Sequence, residues 1–237
     1  MAEHEITKHT KKIITVARGH DDIKHKIKDI LLEIAIIVFA ITLSLIVERW
    51  RENSAEKTLE HNFLSNLVTD LKEDQKQLEE DSASYVNMKK AFSYYRAAYS
   101  GKQLNPDTAS RMIDYMYNVV GFVPSSGRFE ALKASGKLDV IEDKDLQVEI
   151  VNLYQQIIPS LVASTNLFGD FKAKLADHVD HNLVIKNGKT NIQQLMEMPL
   201  TYNFLNRDGY INAIIYKYHI TLDSTRKIIR KIEEEEK

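Results

Sequence analysis

Three small groups of residues are of types and spacings that could do chemistry. Glu33 is the only charge in the run Ile30 to Val47, ILLEIAIIVFAITLSLIV. A carboxylate in a membrane span is costly and marks either an ion path or a polar partner. Ala40-x-x-x-Ser44 would then be a small-residue contact face between associated spans, with Glu33 ringing a polar mouth. The plainer reading is favoured. Glu33 lies about one turn inside the boundary, close enough to reach the headgroups or to pair with Lys26 or Lys28. The second group, Asp177-His178-Val179-Asp180-His181, sets two imidazoles three apart on a helix, a spacing that can share a divalent ion with a carboxylate. A third or fourth ligand is not evident, so His178 and His181 are weak candidates and no metal is assigned. In the third group Arg128, Glu130, Lys133 and Ser135 flank Gly136 beside Phe129 and Leu132. They read either as a binding surface or, more simply, as the wet side of a plug formed by Phe129, Leu132, Leu138 and Ile141. A Gly-rich phosphate loop, a G-x-S-x-G elbow and an H-E-x-x-H pair are all missing, and there is no cysteine to act as a thiol nucleophile. Neither a known enzyme chemistry nor a cofactor is expected.

The elements that must position these residues begin with the apolar run. Its eighteen residues would span about 27 Å as a helix, close to a hydrocarbon core of about 30 Å once Trp50 is included. The run is apolar on every side, which a core helix seldom is. It is too long for a signal peptide and ends without an A-x-A-like site. Arg49, Trp50 and Arg51 instead form an interfacial anchor, the indole at headgroup level and the guanidinium groups in water. Residues 11–29 carry Lys11, Lys12, Arg18, Lys24, Lys26 and Lys28, whereas residues 48–67 carry only Arg49, Arg51 and Lys57. The positive-inside bias therefore puts the N-terminus in the cytoplasm. The expected organisation is a basic cytoplasmic arm over 1–29 that could also meet acidic lipid headgroups, a transmembrane helix over 30–50, and an extracytoplasmic helical domain over 51–237. With 237 residues and a net charge of -2, the chain has ample length for a core and no global basic footprint for nucleic acid.

No glycine or proline occurs between Gly19 and Gly101, so the span is expected to continue outward as a stalk. Leu64, Leu67, Leu71 and Leu78 make a heptad-like face, broken at Asp74 and filled out by Phe63 and Val68. It fits a coiled coil between protomers or, better, one long helix of a bundle. Tyr85, Met88, Phe92, Tyr95 and Tyr99 carry the register on to Ser100-Gly101. Asn105-Pro106 predicts an N-cap and a short helix to about Asn118. A loop over 119–127 follows, then a helix from Arg128 to Ser135 capped by Ser126 and closed by Gly136. From Asp143 a long helix is expected, its apolar stripe of Leu146, Ile150, Leu153, Ile157, Leu161, Phe168, Phe171 and Leu175 holding one face past a kink at Pro159. Thr190 and Gln193 have capping-box spacing. A last helix over about 207–233 repeats Ile211, Ile215, Tyr218, Leu222, Thr225, Ile229 and Ile232, and its acidic end, Glu233 to Glu236, opposes the helix dipole. The fold class is all-α, one N-terminal transmembrane helix continuing into a long-helix bundle.

This order of features resembles an uncharacterised family of bacterial single-span membrane proteins with a C-terminal helical domain of unknown function. The resemblance rests on Glu33, on Glu48-Arg49-Trp50-Arg51-Glu52 at the end of the span, and on Leu64 to Asp74 (LSNLVTDLKED). It continues through a central motif, Phe129 to Leu138 (FEALKASGKL) followed by Ile141, and Leu153-Tyr154. Phe129 stands where the resemblance leads one to expect Tyr. It implies an inner-membrane topology with a periplasmic bundle and brings no established activity or catalytic residue.

Together these features point to a non-enzymatic, membrane-anchored interaction or scaffold protein of the cell envelope, a homo-oligomer or a subunit of a membrane complex. The stalk would couple bundle and span mechanically. Two other classes stay open: a subunit of an oligomeric channel or transporter complex whose spans enclose a polar path at Glu33, and a metal-dependent enzyme at His178 and His181. The sequence names no small-molecule ligand.

Overall fold

In a computed structural model of the chain, all but the last four residues of the long stretch free of glycine and proline lie in one helix, α1 (Ala2–Arg96), which also takes in Gly19. The structure describes the backbone of residues 2–235 and the side chains of 27–28 and 30–234. The side chains of Lys11, Lys12, Arg18, Lys24 and Lys26, on which the charge asymmetry rests, lie outside the described residues, as do those of Glu235 and Glu236. The chain divides into two compact units, Met1–Thr58 and Leu59–Lys237.

In the first unit, α1 is long and apolar enough to cross a membrane. The large apolar side chains of residues 30–47 are all exposed, from 50% at Leu43 to 69% at Phe39. The two hydroxyls of the run turn back onto their own helix. Thr42 Oγ1 donates to Val38 O at 2.8 Å and Ser44 Oγ to Ala40 O at 2.9 Å. This is how a polar side chain is satisfied where water is scarce.

The second unit is helical apart from a minimal hairpin, β1 (Ile185–Lys186) and β2 (Lys189–Thr190). Asn187 and Gly188 make its turn with φ of 53° and 71°, the left-handed conformation that this dipeptide favours. The core is built from three long helical stretches. They are the second half of α1, α5 (Lys144–Asn152) continuing into α6 (Ile158–Asn182), and α9 (Asp208–Glu235). Their apolar stripes are the ones the periodicity predicts: Leu67, Leu71 and Leu78 on α1, Leu146, Ile150, Leu161 and Leu175 on α5–α6, and Ile211, Tyr218 and Ile232 on α9 are all buried. Contacts along α9 fix the directions. Lys72 pairs with Glu233 at 2.7 Å, Glu79 with Arg226 at 2.8 Å and Arg96 with Asp208 at 2.8 Å, so α9 runs antiparallel to α1. Glu149 meets Lys231 at 2.7 Å while Ser160 meets Lys217, so α9 is also antiparallel to α5–α6. The helices α1 and α5–α6 are therefore parallel, and the chain must return the length of the bundle between them.

That return is made by a short 3₁₀ turn (Ala97–Ser100), α2 (Pro106–Met112), α3 (Asp114–Tyr117), a loop and α4 (Gly127–Ala134). Buried tyrosines of α1 hold it down. Tyr85 donates its hydroxyl to Val120 O at 2.8 Å and Tyr95 donates to Ala109 O. Asn105 caps α2 through Thr108 N at 3.0 Å, Asp143 caps α5, and Gly136 ends the α4 turn with φ of 70°, as the sequence implies.

Several local expectations are corrected. The helix after Pro106 divides at Ile113. Ser126 has helical backbone angles and makes no side-chain cap. Thr190 lies in β2, and the side chain of Gln193, in α7 (Ile192–Met196), serves a distant segment, accepting from Leu104 N at 2.9 Å and donating to Lys102 O at 3.2 Å. Ahead of Pro159 the helix widens into a π-helical segment, Leu153–Ile157. A proline lacks the N–H of an α-helical bond and crowds the carbonyl four residues back, and a wider turn accommodates both.

Candidate functional site

Asp74 occupies a core position of the α1 stripe, between Leu71 and Leu78, and is only 3% exposed. The stripe is not broken there. Both Asp74 carboxylate oxygens accept from Ser125 N, at 2.9 and 3.2 Å. One turn earlier, Asp70 Oδ2 accepts from Arg128 Nε at 2.8 Å. Phe129, fully buried, stacks on Tyr154 with ring centroids 4.6 Å apart and planes 11° from parallel. Three stretches far apart in the chain, Leu64 to Asp74, Phe129 to Leu138 and Leu153-Tyr154, thus meet at one junction. Burial raises the Asp74 carboxyl above its ordinary pKa against the lowering effect of the Ser125 bond. The Tyr154 hydroxyl, which feels the Asp74 charge, is buried without a hydrogen-bond partner among the described residues. Leu132 and Ile141 are buried and Leu138 is half-buried, whereas Glu130 is exposed and pairs with Lys133 at 3.3 Å. The junction is closed and does the work of a plug.

The residues of the run do not converge on one another within the chain. Glu33, Ala40 and Ser44 are exposed, and the Ser44 hydroxyl is already engaged with Ala40 O. Trp50 is 74% exposed, and Arg51 pairs with Glu48 at 2.7 Å. The two histidines are held apart in role. His178 Nε2 lies 2.9 Å from Thr201 Oγ1, and burial lowers its pKa. His181 Nδ1 lies 2.7 Å from Asp177 O, and that bond with the Asp177 charge raises its pKa. Among the described residues no three His, Cys, Asp or Glu side chains come together to hold a metal ion.

Two features were not singled out from the sequence. Lys172, 1% exposed, lies on the α6 stripe between Phe168 and Leu175. Its ammonium donates to Tyr115 O and sits 5.4 Å from the Phe92 ring centroid. Burial pushes its pKa down to about 7. Its spacing four after Phe168 and three before Leu175 was the available signal.

The second feature is a cleft of about 640 Å³ between α6 and the corner where α8 (Pro199–Leu205) gives way to α9. Phe168, Phe171, Phe204 and Tyr210 wall it, and Lys174, Arg207 and Lys217 bring positive charge. An adjoining groove of about 890 Å³ shares Asp170, Lys174 and Phe204 and carries Asp177, His178 and His181. The corner is fixed by Arg96, which donates to Asp208 Oδ2 at 2.8 Å, Asn206 Oδ1 at 3.3 Å and Leu205 O at 3.4 Å. Three separate elements build the cleft, so no local spacing announces it. Compared with protein-family models, curated proteins and solved structures, the chain matches none.

Proposed function

We propose that this chain is a membrane-anchored helical interaction module of the bacterial inner membrane, with residues 30–50 as a single span, the N-terminus cytoplasmic and the bundle periplasmic. The observation that supports the reading is the apolar run, every large side chain of which is at least half exposed. Removing so much apolar surface from water is strongly favourable, and a bilayer does so without a partner protein. The same helix continues without a break to Arg96, whose guanidinium holds the α8–α9 corner. Its role is binding and assembly, as a homo-oligomer or as a subunit of a larger membrane complex, and no catalytic step is assigned. Alkaline carbonate washing of membranes, followed by native mass determination of the gently extracted full chain, tests the reading. The chain should stay with the membrane and run above its monomer mass, alone or with a co-extracted partner. Release by carbonate would refute the anchor, and a lone monomer would refute the assembly role.

A further inference from the structure

We propose that the cleft between α6 and the α8–α9 corner binds a small amphiphilic monocarboxylate, its carboxylate on Arg207 and its apolar body against the aromatic wall. The Arg207 guanidinium carbon lies 5.2 Å from the Phe171 ring centroid and 5.6 Å from that of Tyr210. Two aromatic rings thus orient its planar fork. Its Nε is screened from solvent and has no hydrogen-bond partner among the described residues. The neighbouring carboxylate, Asp208, is held through Oδ2 by Arg96, and its Oδ1 is buried without bonding Arg207. An arginine set beside two rings, with a donor left unpartnered, can close on a carboxylate through its planar fork.

Charge narrows the ligand further. Lys217 engages its three N–H donors with Ser160 O at 3.0 Å, Ser160 Oγ at 2.9 Å and Ser164 Oγ at 2.6 Å, so it supplies field but no free donor. Donors are left to meet a ligand on Arg207 and Lys174, with Asp170 opposing them; with Lys217 the lining carries two positive charges in excess, which suits an anion, and the one guanidinium fork seats a single carboxylate. The wall suits an apolar body, and a volume of about 640 Å³ lies inside the range of about 300–1,000 Å³ usual for small-molecule pockets. The site belongs wholly to the bundle and does not depend on membrane attachment.

The test is calorimetric titration of the full-length protein in lipid nanodiscs with octanoate and with 2-naphthoate. The neutral alcohol 2-naphthalenemethanol is the uncharged control, and empty discs are the blank for partition into lipid. At least one carboxylate should bind saturably at one site, with a Kd on the order of 100 µM or tighter. The alcohol should bind at least about tenfold more weakly, and Arg207→Gln should weaken the acid by a similar factor. Ala213→Trp, on the α9 wall, keeps Arg207 and fills the cleft, so it should abolish binding even if Arg207→Gln fails to fold. Preference for octanoate or for naphthoate assigns the body as acyl or aryl. Equal affinity for acid and alcohol would overturn the proposal. So would heats no different from empty discs, binding that survives Ala213→Trp, or inorganic phosphate binding more tightly than either carboxylate.

Discussion

Replacing Lys172 by methionine removes a buried ammonium while keeping most of the side chain's length. Lys172 is 1% exposed and its pKa is lowered from 10.5 to about 7, with burial as the cause. The groups facing it are the Tyr115 carbonyl of α3 and the Phe92 ring of α1, and no carboxylate pairs with it among the described residues. Below pH 7 the lysine is charged in both states and the folded state bears the full desolvation cost. Above pH 10.5 it is neutral in both and the cost is gone. Between these limits the unfolded chain binds more protons, so the lysine's contribution to stability rises with pH. A shift from 10.5 to about 7 corresponds to about 5 kcal/mol in total, of which about 2 kcal/mol falls between pH 7 and 9. The variant leaves the Tyr115 carbonyl unpaired, a cost of about 1–3 kcal/mol that does not vary with pH. Lys172→Met should therefore be more stable than the parent at pH 7 by roughly 1–3 kcal/mol. The advantage should shrink by about 2 kcal/mol at pH 9. Guanidinium unfolding of the detergent-solubilised chain, followed by tyrosine near-UV circular dichroism, measures both. The range stops at pH 9 because Tyr85, Tyr95 and Tyr218, all raised by burial, begin to destabilise the fold as their unfolded counterparts ionise near pH 10. Parallel stability profiles for the two proteins would refute the reasoning.

Phe129→Ala empties a fully buried site and breaks the stack on Tyr154, so it should cost about 3–5 kcal/mol in the same unfolding assay. Asp74→Asn keeps an oxygen for Ser125 N and removes a buried charge, so stability at pH 7 should change by less than about 1 kcal/mol, whereas Asp74→Ala strands that N–H and should cost about 1–3 kcal/mol. Arg128→Ala loses a pair with Asp70 whose arginine is half-exposed and should cost about 1 kcal/mol, less in 0.5 M salt.

The helices were legible because their stripes have one strong cause, burial of Leu67, Leu71, Tyr218 or Ile232 at spacings of three and four. The helix ends at Asn105, Asp143 and Gly136 were legible for a related reason, since each is set within its own few residues. What escaped were polar side chains whose partners lie far along the chain. Asp74 read as an interruption because nothing local reveals that Ser125 N will meet it. Gln193 read as half of a capping box because Lys102 and Leu104 are brought to it by the return segment. Lys172 was readable from its place on the α6 stripe, but a lysine is ordinarily taken for the wet face. Arg207 and Lys174 gain meaning only from a cleft that α6, α8 and α9 build together.

The chain has no cysteine, so single cysteines report topology against a silent background. Asp139, whose side chain is 95% exposed on the bundle, and Ala2, in the N-terminal arm, make the decisive pair. In cells with a permeabilised outer membrane, a membrane-impermeant maleimide should label Asp139→Cys at once and Ala2→Cys only after lysis. Labelling of Ala2→Cys in intact cells, or of both positions without lysis, would contradict a span at residues 30–50 that carries the bundle to the outer side.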